Sequence, residues 1–192
     1  MIDILESGSS LHSQGVLARL QEQAPVIQIW AEGADKAKGK SRFDLTKSDE
    51  LVIYTTPPSL TDLRAALDIV KPKKIYVVGI APATEKTDAF LARLTGMTKF
   101  AINNKSGKVS IKDLAVATAQ RESVIRIGLE WLAAGGHVSI SGEAEAVFLS
   151  AGNGLANQYV QKELYVAVKG ILEETAAYRE YFARANIDSI MG

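Results

Sequence analysis

Leu51-Val52-Ile53-Tyr54-Thr55, Ser59-Leu60-Thr61-Asp62-Leu63-Arg64-Ala65-Ala66-Leu67-Asp68-Ile69-Val70 and Lys74-Ile75-Tyr76-Val77-Val78 follow one another closely, and their patterns decide the fold. The first and third are short β-rich runs bounded by turn formers, which reads as strands. The middle one places apolar residues at 60, 63, 66, 67 and 70, a helical spacing. Ser59 suits its N-cap, and Pro72 stops it after Val70. Strand, helix, strand with short links is a βαβ unit, so the sheet is parallel. Upstream, Val26-Ile27-Gln28-Ile29-Trp30 adds a strand and Gln14 to Gln23 a helix. Residues 1–82 are therefore expected to form a small three-layer α/β domain.

After Pro82 the pattern changes to helices separated by tight turns. Thr84 to Asn103 reads as a helix disturbed at Gly96, and Asn104-Lys105-Ser106-Gly107 as a turn. A short extended piece, Lys108-Val109-Ser110-Ile111, leads to helices over Lys112 to Thr118 and Arg121 to Ala134, the second ended by Gly135-Gly136. Val124, Ile125, Leu129, Trp131 and Leu132 have the spacing of a buried face. Two β-like runs follow, His137-Val138-Ser139-Ile140 and Ala146-Val147-Phe148-Leu149. That order is the order of a winged helix-turn-helix, expected over residues 83–152. Residues 153–192 carry one long helical pattern from Leu155 to about Ala185, whose Tyr159, Tyr165, Tyr178, Tyr181 and Phe182 read as packing residues, with a partner surface as the alternative.

Composition narrows the chemistry. Lys+Arg and Asp+Glu number 22 each, so a whole-chain basic excess is absent and any nucleic-acid contact must be local. Cysteine is absent, which removes disulfides, thiolate nucleophiles and Cys-ligated metals. The two histidines, His12 in a Ser-rich turn and His137 at the start of the hairpin, are too few for a metal or acid–base cluster. Glu143, Glu145, Glu173 and Glu174 read as solvated, and no Ser stands in a Gly-x-Ser-x-Gly elbow. No catalytic or metal-binding residue is expected, and no cofactor in this chain. Lacking a leader-like N-terminus and any apolar run near the roughly 20 residues of a membrane span, the chain is expected in the cytoplasm with no membrane partner.

Gly33-Ala34-Asp35-Lys36-Ala37-Lys38-Gly39-Lys40-Ser41 follows a strand and ends like a phosphate-binding loop. Such a loop has four residues between its glycines so that successive backbone amides wrap a phosphate, and here there are five. A solvated, flexible basic loop is expected instead. A nucleotide-dependent enzyme would rest on this string alone.

The helix-turn-helix is the strongest functional pattern. Its second helix would present Gln120, Arg121, Ser123 and Arg126, residue types that suit phosphates or base edges, with Lys105, Lys108 and Lys112 as a backbone-contacting patch. Against this, Glu143 and Glu145 on the hairpin would be repelled by phosphates, so a protein-interaction module without nucleic-acid contact is the alternative.

Leu51 to Ser59 with its double proline, Lys71-Pro72-Lys73-Lys74-Ile75-Tyr76, and Gly96-Met97-Thr98-Lys99-Phe100-Ala101 together resemble the C-terminal region of bacterial RecJ-type single-stranded-DNA exonucleases. The stretch Ala119 to Leu132 resembles the winged-helix-like segment of the same region. The resemblance implies a parent enzyme that digests single-stranded DNA from 5′ to 3′ with Mn²⁺ or Mg²⁺ in an Asp-His-His core. No Asp-His-His stands in this sequence, so no catalytic residue carries over. What the resemblance implies for this chain is an accessory region for DNA recombination and repair. It would bind single-stranded DNA or dock a helicase or a single-strand-binding protein.

Overall fold

The structure is a computed structural model, and it describes residues 2–4, 27–142 and 146–184. Contacts divide the chain into two compact units, Met1–Pro82 with Ala177–Gly192, and Ala83–Ala176. The chain is mixed α/β, with a small parallel sheet and a long C-terminal helix.

In the first unit the strands are β1 (Ile2–Ile4), β2 (Gln28–Trp30), β3 (Glu50–Thr55) and β4 (Lys74–Ile80), with helix α1 (Leu60–Val70) between the last two. The sheet order is β1-β4-β3-β2, and every pairing is parallel. Alternation along the strands sends Trp30, Leu51, Ile53, Ile75 and Val77 to the face that packs on Leu63, Ala66, Leu67 and Val70 of α1. Ile29, Ala31, Val52, Tyr54, Tyr76 and Val78 form a second buried cluster on the other face. Burial on both faces is why the strands read as unbroken apolar runs. The expected helix over Gln14 to Gln23 lies outside the described residues, as do His12, Glu143 and Glu145.

Local chemistry sets the ends of α1. The Ser59 hydroxyl accepts from the Asp62 amide at 3.0 Å, and Lys71 takes a left-handed conformation that turns the chain into Pro72. The 33–41 string departs from its expected form. It folds as a 3-10 turn (Gly33–Lys38) and returns so that Lys40 pairs with the backbone of β2. Lys38 donates to the Tyr54 hydroxyl and meets Asp35 at 2.7 Å. The loop is therefore anchored by named contacts where the sequence pointed to flexibility. Ser41 donates to Asp44 and opens no helix that could present a dipole to a phosphate.

The second unit contains α2 (Thr87–Asn104), β5 (Lys108–Ser110), α3 (Ile111–Thr118), α4 (Glu122–Ala134), β6 (Val138–Ser141) and β7 (Ala146–Ala151). Helix α2 runs through Gly96 without interruption. The three strands form an antiparallel sheet in the order β5-β7-β6. One core joins Phe90 and Leu94 of α2, Ile111 and Leu114 of α3, Val124, Ile125, Leu129 and Leu132 of α4, and Val109, Val138, Val147 and Leu149 of the sheet. Trp131 departs from the buried face that its spacing suggested. It is half-buried against the edge of this core. Gly107 has φ +76°, and a Cβ there would collide with the Leu149 carbonyl, so the β5 turn requires glycine.

The last helix, α5 (Gln158–Arg184), supplies Val168 and Leu172 to the core of the second unit and Tyr178 and Phe182 to the first. Its aromatic residues divide. Phe182 is buried and Tyr165 reaches Asp88, but Tyr159 and Tyr181 are exposed. Among the described residues no helix is long and apolar enough to cross a membrane.

Candidate nucleic-acid interface

Helices α3 and α4 are joined by a turn of three residues, Ala119, Gln120 and Arg121. Ser110 caps α3 by accepting from the Asp113 amide at 3.2 Å. Ala119 closes it in a left-handed conformation with φ +51°, and its N–H donates to the carbonyls of α3. The Gln120 amide then donates to the Ala115 carbonyl at 3.0 Å, so the direction of the chain changes within one residue. Helix α4 starts at once, with Arg121 as its N-cap residue.

This geometry corrects the reading of Gln120. Its side chain is fully buried, and Nε2 donates to the Thr84 carbonyl at 3.0 Å. Thr84 in turn donates to the Thr118 carbonyl at 2.6 Å. Gln120 therefore ties the turn to the segment before α2 and offers no edge to a ligand. The left-handed Ala119 turns it inward.

The other candidates lie outward. Ser123 and Arg126 are exposed and three residues apart, which places them on one face of α4. Glu130, one turn further on, is exposed on the same side, and Glu122 stands in the first turn of α4, so acidic residues flank this face at both ends. Arg121 is half-buried and meets Glu174 at 3.1 Å. That contact is exposed on the glutamate side, and a phosphate could replace it at little cost. Lys112 lies in the first turn of α3 and is partly exposed.

Lys105 and Lys108 belong to the turn and strand before α3, and both are exposed. The Lys105 ammonium stands 6.0 Å from the centre of the exposed Phe100 ring. Lys108 is paired across the sheet with Phe148, which is 49% exposed. Opposite residues in a ladder share a face, so Lys108, Phe148 and Ser141 form one row on the outside of this sheet. A lysine beside an exposed ring can hold a phosphate and stack a base. Sequence reasoning found the lysines but missed Phe100 and Phe148. Phe148 could have been found, because strict alternation puts it opposite in sense to Val147 and Leu149.

The first unit offers a contrasting charge cluster. Glu32, just beyond β2, accepts from the Trp30 indole at 2.8 Å and from the Arg42 amide and Nε, each at 2.9 Å. Arg42 also reaches Asp62 of α1 at 3.0 Å. Glu32 and Arg42 are buried, and burial works against the Arg42 charge, yet Glu32 and Asp62 outweigh it and hold its pKa above the ordinary value. This lies at the carboxyl ends of the strands, where parallel α/β sheets often bind ligands. Here the oxygens and guanidinium are spent on one another, and the cluster clasps the 33–42 loop to the sheet. Among the described residues no group of three or more His, Asp or Glu is placed to hold a metal.

Comparison with family models, curated proteins and solved structures gives no match for this chain.

Proposed function

We propose that the second unit is a winged-helix module that contacts single-stranded DNA, and that the chain is the accessory C-terminal region of a RecJ-like exonuclease in recombination and repair. The observation that carries this reading is the three-residue turn between α3 and α4, which presents Ser123 and Arg126 on the exposed first turns of α4. The order helix, strand, helix, turn, helix, hairpin supports it, with α2 first and β6–β7 as the wing. So do the exposed Lys105, Lys108 and Phe148 on the side of β5 and β7. The RecJ assignment rests on the sequence resemblance. Its double proline lies in the buried loop between β3 and α1, where the Thr56 and Pro57 carbonyls accept from Arg179 at 3.3 and 3.4 Å.

In this reading Arg121, Arg126, Lys105, Lys108 and Lys112 neutralise phosphates, and the rings provide stacking surfaces. Any Mn²⁺ or Mg²⁺ would belong to the parent nuclease core. The test is fluorescence anisotropy with labelled single-stranded and duplex DNA at low and then physiological salt. Salt-sensitive binding, weakened about tenfold by Arg121→Ala/Arg126→Ala and several-fold by Phe148→Ala, is expected. No binding at either salt would overturn the DNA reading. Recovery of a helicase or single-strand-binding protein after nuclease treatment would then favour the protein-docking alternative, for which the acidic Glu122 and Glu130 on α4 speak.

A further inference from the structure

A cavity of about 440 Å³ lies within the second unit, between the C-terminal halves of α2 and α4 and the start of β6. Its size falls in the range of small-molecule sites, about 300–1,000 Å³. Most of its wall is apolar, built from Ile102, Trp131, Leu132 and Val138. This is what leaves Trp131 half-buried: its ring forms part of the cavity wall as well as the edge of the core.

Two threonines of α2 line the cavity, and they differ. Thr95 donates its hydroxyl to the Leu91 carbonyl at 2.7 Å, the usual resolution for a threonine inside a helix. Thr98 is 2% exposed, and its hydroxyl makes no hydrogen bond among the described residues. Leaving a hydroxyl in that condition costs stability. With almost no accessible surface, that hydroxyl is walled off from the cavity and offers nothing to a ligand.

Charge defines the rest. Lys99 and His137 line the same cavity and are exposed, and among the described residues no carboxylate lines it. An apolar wall with one aromatic ring and the Lys99 ammonium at its outer edge selects a small amphipathic anion. We infer that this cavity binds a small aromatic carboxylate, with its ring system against Trp131 and Val138 and its carboxylate toward Lys99. The inference uses residues separate from the proposed DNA contacts and stands whether or not that reading holds.

The experiment is isothermal titration calorimetry of the full chain with 2-naphthoate and, as an uncharged control of similar shape, 2-naphthamide. Saturable one-to-one binding of naphthoate is expected, about tenfold tighter than naphthamide. Lys99→Gln is expected to abolish that preference. Ala151→Phe fills the cavity from an exposed lining position and is expected to remove binding of both compounds. Thermal melts of each variant, matched to the parent, establish that the fold is kept. The inference is overturned by absence of saturable binding, by equal affinity for the two compounds, or by naphthoate binding that survives Ala151→Phe in a folded variant.

Discussion

The two units handle charge in opposite ways. The three buried charged residues among those described, Glu32, Arg42 and Arg179, all lie in the parallel-sheet unit. The buried polar residues of the other unit, Thr98, Thr118, Gln120 and Thr175, are uncharged. The first unit thus consumes its charges in holding a loop and a helix start in place, whereas the second keeps its lysines and arginines on or near its surface. A basic-looking string is therefore a poor guide to binding. The Gly33–Ser41 loop has the more suggestive sequence, and the lysines around β5 and α3 have the more available positions.

The contrast can be broken at its strongest point by Glu32→Gln, which leaves the Arg42 charge buried with reduced compensation. A loss of about 3–5 kcal/mol is expected. Trp30 belongs to the first unit and Trp131 to the second, so denaturant titrations of single-tryptophan variants read each separately. Equal losses from both signals would show that the units unfold as one and would erase the distinction. Next in size is Gly107→Ala, where a left-handed backbone and the Leu149 carbonyl both resist a methyl group. About 2–3 kcal/mol should be lost, reported mainly by Trp131.

The third test is a pH series. Burial, aided by the nearby Asp62 charge, pushes the Tyr178 hydroxyl up to about 12, from an ordinary value of 10.0. Between those values the unfolded chain has released this proton and the folded chain keeps it. Unfolding then releases a proton, so stability present below about pH 10 falls as pH rises toward 12. Tyr178→Phe should flatten that decline by about 1–2 kcal/mol, after allowance for the partial exposure of the ring. An identical slope in the variant would mean that other groups set the alkaline limit. The smallest effect on stability, below about 1 kcal/mol, is expected for Arg121→Ala, whose partner Glu174 is exposed. A larger loss in a thermal melt would move Arg121 from the surface set to the structural one.

The parallel unit was legible because its signals are local. Ser59 caps α1 through a residue three positions on, and β-branched runs with short links force parallel pairing. What escaped the sequence depends on distant partners. Arg42 is ten residues from Glu32 and twenty from Asp62, so nothing beside it marks it as buried. Gln120 sits at a turn, where polar residues usually face water, and is buried because Thr84 accepts from it across 36 residues. Trp131 fits the spacing of a core residue, and only the arrangement of α2, α4 and β6 shows that part of its ring faces a cavity. The candidate lysines and arginines could be found by residue type, but their grouping by face depends on the register of β5 with β7.

The return of the 33–41 segment along β2 has a consequence beyond its own anchoring. Lys40 donates to the Ile29 carbonyl and accepts from the Ala31 amide, and Gly39 passes so close to Ile29 that a methyl group would strike its carbonyl. A sheet edge with free backbone groups invites strands from other molecules, the first step of aggregation. Here those two groups are already taken by the molecule's own chain, and the position is marked by a lysine that a stacking neighbour would have to desolvate. The segment that most resembles a nucleotide loop thus closes this part of the sheet edge with the molecule's own backbone.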